Sequence, residues 1–143
     1  MCYIVLIKRE HFSMRLPEDV RRRLTERSRE TGTSESELAR RYVSEGIRRD
    51  LHPAITMRPG RVGGRPALAS RPRLEVAVIV ETWIQNDRDT DATLRALDLT
   101  TPDLDAALAY YADLRHEIDE IIQRKRDLFE RHQRIYAPAT RRR

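Results

Sequence analysis

Polar and apolar residues alternate over His11-Phe12-Ser13-Met14-Arg15-Leu16. A period of two places Phe12, Met14 and Leu16 on one face of a strand and His11, Ser13 and Arg15 on the other. Pro17 should end this strand and open a helix, where its missing N–H is not needed. Glu18 and Asp19 suit the positive end of that helix, which should run to about Thr31. Its apolar stripe is narrow: Val20, Leu24, then Arg27 or Ser28. Gly32 supplies a left-handed stop. Ser34 and Glu37 have the spacing of a capping box. They open a second helix, Glu35 to about Asp50, with Leu38, Ala39, Tyr42, Val43 and Ile47 on its apolar face.

One strand and two helices in about 40 residues cannot cover a core. A lone strand also leaves its backbone donors and acceptors unpaired. The simplest remedy is a second copy, with strands pairing antiparallel about a two-fold axis. Phe12, Met14, Leu16, Leu38, Tyr42 and Val43 are then the expected dimer core.

Further along, Arg49 to Pro59 looks like a linker, broken at His52-Pro53 and Pro59-Gly60. Within it, Ile55-Thr56-Met57 has the character of a short strand. The segment Gly60 to Leu68 could turn into its antiparallel mate. Leu74 to Gln85 reads as a buried helix with Val76, Ile79, Val80, Trp83 and Ile84 inside. Asp89 to Leu97 reads as a short helix. Thr101-Pro102-Asp103 opens a long one, Asp103 to about Arg131, with Leu104, Ala107, Leu108, Tyr111, Leu114 and Ile118 facing the core. Tyr136 to Arg143 should be loose.

Charge divides the chain differently. The net charge is +5, but it is unevenly spread. Residues 1–51 carry +3, residues 52–74 carry +5 with no acid, residues 75–122 carry −9, and residues 123–143 carry +6. A basic–acidic–basic order suits DNA on one surface and a different partner on another. The single cysteine, Cys2, allows neither an intrachain disulfide nor a thiolate metal cluster, which fits a reducing cytoplasm. The longest apolar run, Cys2 to Ile7, is too short to span a bilayer, and it lacks the basic start and cleavage site of a secretory signal.

Phe12-Ser13-Met14-Arg15-Leu16-Pro17-Glu18-Asp19-Val20, followed by Gly32-Thr33-Ser34-Glu35-Ser36-Glu37-Leu38, resembles the ribbon-helix-helix regulators of the CopG/MetJ/Arc-like kind. These include many antitoxins of bacterial toxin–antitoxin operons, those of the VapB type among them. The resemblance covers about residues 10–50. Gly46 departs from it, because a better helix former would be expected there. It either weakens the second helix or allows close packing. From His52 to about Ile122 the pattern is similar to a small trihelical domain of unknown function, often encoded beside PIN-like ribonuclease toxins. No residue-level activity follows from that second resemblance.

A ribbon of two paired strands fits the major groove of B-form DNA. It would present His11, Ser13 and Arg15 twice, and arginine can bond guanine O6 and N7 together. The bland alternative is an ordinary solvated strand face. At the start of the second helix, backbone N–H groups near Thr33, Ser34 and Glu35 suit a phosphate, although Glu35 and Glu37 would oppose its approach. Arg21-Arg22-Arg23 is more often a solvated helix face. Residues 58–73, with Arg58, Arg61, Arg65, Arg71 and Arg73, are either a soluble loop or a second nucleic-acid or partner surface. Gly60 to Gly64 is not a phosphate-binding loop, because no Gly-Lys-Ser/Thr follows.

Catalysis finds little footing. His116 and Glu120 are two ligands one turn apart, too few for a metal site, and no nucleophile sits with a base and an orienting acid. We expect no enzyme activity and no cofactor.

The expected architecture is mainly α. Residues 1–51 form a ribbon-helix-helix completed by dimerisation. Residues 52–122 form a β-hairpin plus trihelical domain, and residues 123–143 a basic helix end and tail. The function implied is a cytoplasmic, homodimeric antitoxin that represses its own operon and neutralises a toxin, most readily a PIN-like ribonuclease. Arg124, Arg126, Arg131 and Arg134 are the candidate toxin contacts. The rival is a free-standing transcriptional or plasmid copy-number regulator with a C-terminal interaction domain.

Overall fold

The computed structural model describes residues 12–59 and 64–136. They form six helices and one two-stranded antiparallel sheet, ordered α1 (Glu18–Thr31), α2 (Glu35–Leu51), β1 (Ile55–Arg58), β2 (Arg65–Leu68), α3 (Val76–Gln85), α4 (Thr90–Leu97), α5 (Thr101–Asp113) and α6 (Arg115–Tyr136). The chain divides into two compact units, Met1–Ser44 and Glu45–Arg143.

In the first unit, residues 12–17 belong to no strand, which corrects the expectation for Phe12 to Leu16. A strand is defined by its ladder, and the expected ladder lay between two copies of the chain. Pro17 stands just before α1 rather than inside it, and its carbonyl accepts from Arg21 N–H at 2.9 Å. Gly32 takes the left-handed conformation, φ +66°, and its N–H closes α1 onto the Ser28 carbonyl at 3.0 Å. Ser34 Oγ accepts from Glu37 N–H at 3.3 Å, the helix-starting half of the expected box. α1 buries none of its residues, and α2 buries only Leu38.

The second unit has a true core. Ile55, Leu68, Val76, Ala77, Ile79, Val80, Leu104, Ala107, Tyr110, Ile118 and Ile122 cluster there, each 5% exposed or less. Each fully buried aliphatic side chain contributes about 1.5–3 kcal/mol. α3 is the central element, packed against β2, α4, α5 and α6. Of its expected inward residues, Val76, Ile79 and Val80 are buried, Trp83 is half-buried and Ile84 is exposed. Ile84 falls in the last turn, where the helix leaves the core.

β1 pairs with β2 in the register Ile55↔Leu68, Thr56↔Ala67, Met57↔Pro66, Arg58↔Arg65. The expected linker, Arg49 to Pro59, is therefore the last turn of α2 followed by a strand. Residues 60–63 of the expected turn lie outside the described residues. α4 is capped by Asp89, whose side chain accepts from Ala92 N–H at 2.9 Å. α5 opens on a complete capping box between Thr100 and Asp103, with Pro102 in its first turn.

The single long helix expected from Asp103 to Arg131 is two helices, broken at Leu114 (φ −124°, ψ 39°). No Gly or Pro marks the break. The bend lets Tyr110 and Ile118, on either side of it, both reach the core. Among the described residues no helix is long and apolar enough to cross a membrane.

Candidate nucleic-acid interface

Ser13 and Arg15 are exposed on the segment that leads into α1. His11 lies outside the described residues. Phe12 is 83% exposed, Met14 51%, Tyr42 43% and Val43 47%, whereas Leu16 is half-buried and Leu38 fully buried. Of the six expected dimer-core residues, four are thus open to solvent in the single chain. Val20 and Ile47 add to this exposed apolar set.

The junction of α1 and α2 is built from side chains that tie one helix to the other. Ser28 Oγ donates to the Thr33 carbonyl at 2.7 Å. Thr25 Oγ1 donates to Glu35 Oε1 at 2.6 Å, and Arg21 donates to Glu35 Oε2 at 2.9 Å. Glu35 had been expected to oppose a phosphate. Here its carboxylate is turned back onto α1 and matched by Arg21. Exposed Ser34 stands at the start of α2, where first-turn N–H groups have no helical acceptor. Thr33, Ser34 and Glu35 are brought together there, but Glu35 acts as a brace rather than through its charge. Arg21 is correspondingly committed, while Arg22 and Arg23 stay exposed.

The second unit holds ion pairs that charge counting did not single out. Glu75, at the start of α3, is nearly buried and meets three cations. Arg65 lies at 3.1 Å, Arg58 at 3.6 Å, and Lys125 of α6 bonds its other oxygen. Burial pushes the Glu75 pKa up, but the hydrogen bonds from Lys125 and Arg65 outweigh it and hold the carboxyl below the usual range. The available clue was one acid at the head of an otherwise apolar run, Leu74 to Val80.

Arg71, one of the candidate surface arginines, is structural. Its guanidinium donates to the carbonyls of Leu97 (2.9 Å) and Asp98 (2.8 Å), closing the end of α4. With Pro72, Arg73 and Leu74 it lines an open cleft. The four candidate partner arginines also divide. Arg126 donates to Glu81 at 2.8 Å and Arg124 to Glu120 at 2.8 Å. Arg131 and Arg134 are exposed in the last turns of α6, and Arg134 lies 3.8 Å from Glu130. Among the described residues no three of His, Cys, Asp and Glu are placed to hold a metal ion.

Comparison with models of protein families, with curated proteins and with solved structures gives no match to the chain.

Proposed function

We propose that the chain is a homodimeric, sequence-specific DNA-binding repressor of the antitoxin type, acting in the cytoplasm. One observation carries the reading. The described part of the first unit buries a single residue, Leu38, and leaves Phe12, Met14, Tyr42 and Val43 in solvent. A unit of this size with no core of its own is completed by a second copy. Pairing of the two 11–16 segments would satisfy their backbone groups and cover Phe12 and Met14. The same pairing would set His11, Ser13 and Arg15 of both chains on one polar face, as a ribbon that reads base edges. The N-terminus of α2, with Glu35 already matched by Arg21, would take a backbone phosphate.

The second unit is the partner-binding half in this reading. The resemblance of residues 52–122 points to a PIN-like ribonuclease toxin, and exposed Arg131, with Arg134 held only by a long surface pair to Glu130, would meet its acidic site.

The test is selection of duplexes from a random library by the full chain and by Arg15→Ala. The wild type should enrich an inverted repeat. Arg15→Ala should lose the preference yet keep weak binding, since a bidentate base contact is worth about 1–3 kcal/mol and phosphate contacts remain. The same enriched sequence from both proteins would remove Arg15 from base reading. No enrichment by the wild type would end the repressor reading.

A further inference from the structure

We infer that the turn end of the β1–β2 hairpin, at the Arg58–Arg65 rung, with Lys125 and Phe129 of α6, is a binding site for single-stranded nucleic acid, distinct from the surface proposed for operator DNA. Arg58 and Arg65 are direct cross-strand partners in a hairpin of only four rungs. Like charges directly opposite weaken a sheet. Glu75 offsets that repulsion from below, yet a single acid beneath two like charges leaves the pair unbalanced, as is expected where function requires it.

Lys125 adds a third cation, and among the described residues Glu75 is the one acid that answers all three. The cluster therefore carries a surplus of two positive charges. Its layering matters as much as its sum. The Glu75 side chain is 8% exposed, whereas those of Lys125, Arg58 and Arg65 are 35%, 42% and 55% exposed. The carboxylate lies beneath and the cations form the rim. An anion arriving from solvent meets N–H donors first. Each guanidinium has five of them, and Glu75 engages only part of that set. Because Glu75 already holds the three side chains in place, little ordering remains to be done on binding.

Phosphate suits this rim, because one group can accept from several cations at once. What favours a single strand is Phe129. It lies one helical turn beyond Lys125 on the same face of α6 and is 64% exposed. Those four residues advance about 6 Å along the helix, comparable to the offset between a backbone phosphate and its neighbouring base. The arrangement pairs a cationic track with an aromatic ring on which a base can stack, and it needs no particular sequence.

The experiment uses the full chain and a labelled oligothymidylate, followed by fluorescence anisotropy at several salt concentrations. The double variant Arg58→Gln/Arg65→Gln should lose at least about tenfold in affinity and show a shallower salt dependence. Phe129→Ala, at an exposed position where folding is not at risk, should lose about tenfold with the salt dependence unchanged. Arg95→Gln, which removes one exposed charge from α4, should change little. Wild-type affinity in both the double variant and Phe129→Ala would overturn the site. An equal loss in Arg95→Gln would reduce the effect to net charge and overturn it as well. Displacement of the oligothymidylate by polyglutamate at equal charge concentration would reassign the rim to an acidic protein.

Discussion

The imidazole of His52 stands edge-on to the ring of Tyr110, with centroids 5.0 Å apart and planes at 65°. The same imidazole places Nε2 2.9 Å from the Asp113 carboxylate. On its other side the Tyr110 hydroxyl donates to Glu117 at 3.5 Å, and Glu117 is held by both terminal nitrogens of Arg48, at 2.7 and 3.1 Å. A buried aromatic pair of this geometry adds about 0.5–1.5 kcal/mol beyond its area. Here it also fastens the end of α2 to the α5–α6 break.

Burial pushes the Tyr110 phenol up to about 12, with the Glu117 charge adding to the rise and Arg48 opposing it. The folded state thus prefers the neutral phenol. The stabilisation is full below pH 10, the ordinary tyrosine value, and is lost as pH rises towards 12. Its size is about 2–3 kcal/mol. Urea unfolding of the wild type should weaken over that window, and Tyr110→Phe should weaken much less. Tyr111, raised by burial and by Asp119, accounts for a smaller residual dependence. Identical alkaline profiles for the two proteins would remove Tyr110 as the cause.

Glu75 gives the opposite sign. Its carboxyl titrates below the usual range in the folded chain, so its contribution is full at neutral pH. That contribution fades as pH falls through the folded value. Glu75→Gln should cost about 2–3 kcal/mol at pH 7, at the low end for a buried charge because the three cations reach solvent. The gap between wild type and variant should close as pH falls through the folded value, below which the Glu75 carboxyl is as neutral as the glutamine. A gap that persists in acid would mean that packing, not charge, holds this corner.

Much of this fold was legible because its stops are local. Gly32, Asp89 and Pro102 each act within a few residues, and the helix ends they set agree with the pattern to within a residue or two. The break at Leu114 has no local stop and follows from tertiary packing, so periodicity ran through it. The Glu75 cluster joins residues 58, 65, 75 and 125, separations that no window of sequence spans. The N-terminal strand was read from alternation alone, and alternation states a preference that only a paired neighbour can realise. The part Arg71 plays at the end of α4 was hidden for a related reason. A surface arginine and one that closes a distant helix look alike in sequence.

Exposed Val43 offers a direct test of the dimer. In the single chain it is 47% exposed, so Val43→Asp should be mild if the chain works alone. In the proposed dimer the new charge is buried and costs several kcal/mol per copy. Sedimentation equilibrium should give a dimer for the wild type and mostly monomer for Val43→Asp. Equal masses would place the interface elsewhere.

Two glycines should respond in opposite directions. Neither Gly32 nor Gly46 has an atom within 4 Å of where a Cβ would lie, so packing drops out. Gly32 holds φ +66°, and Gly32→Ala should lose about 1 kcal/mol from backbone strain alone. Gly46 lies inside α2, and Gly46→Ala should gain about 1 kcal/mol of helix propensity. Thermal unfolding reads both. A destabilised Gly46→Ala dimer would show instead that a second chain approaches closely there.

The end of α6 separates anchoring from partner binding. Lys125 holds Glu75 and Arg126 holds Glu81, so the chain up to Arg126 belongs to the fold of the second unit. Beyond it, residues 127–135 are all exposed, including Leu128, Phe129 and Ile135. A cut after Gln123 would remove both anchors and mix two effects. A cut after Asp127 spares them, and should leave the unfolding temperature of the second unit nearly unchanged. In the antitoxin reading it should still abolish growth rescue from the toxin, because Arg131 and Arg134 go with it. The point variant Arg131→Glu/Arg134→Glu should do the same by reversing charge, since an acidic site then repels what it had bound. Full rescue by both would move the contact to the folded part of the unit. Loss of rescue on truncation with full rescue by the charge reversal would assign it to the exposed apolar side chains of this end, Leu128, Phe129 and Ile135, docking without the arginines.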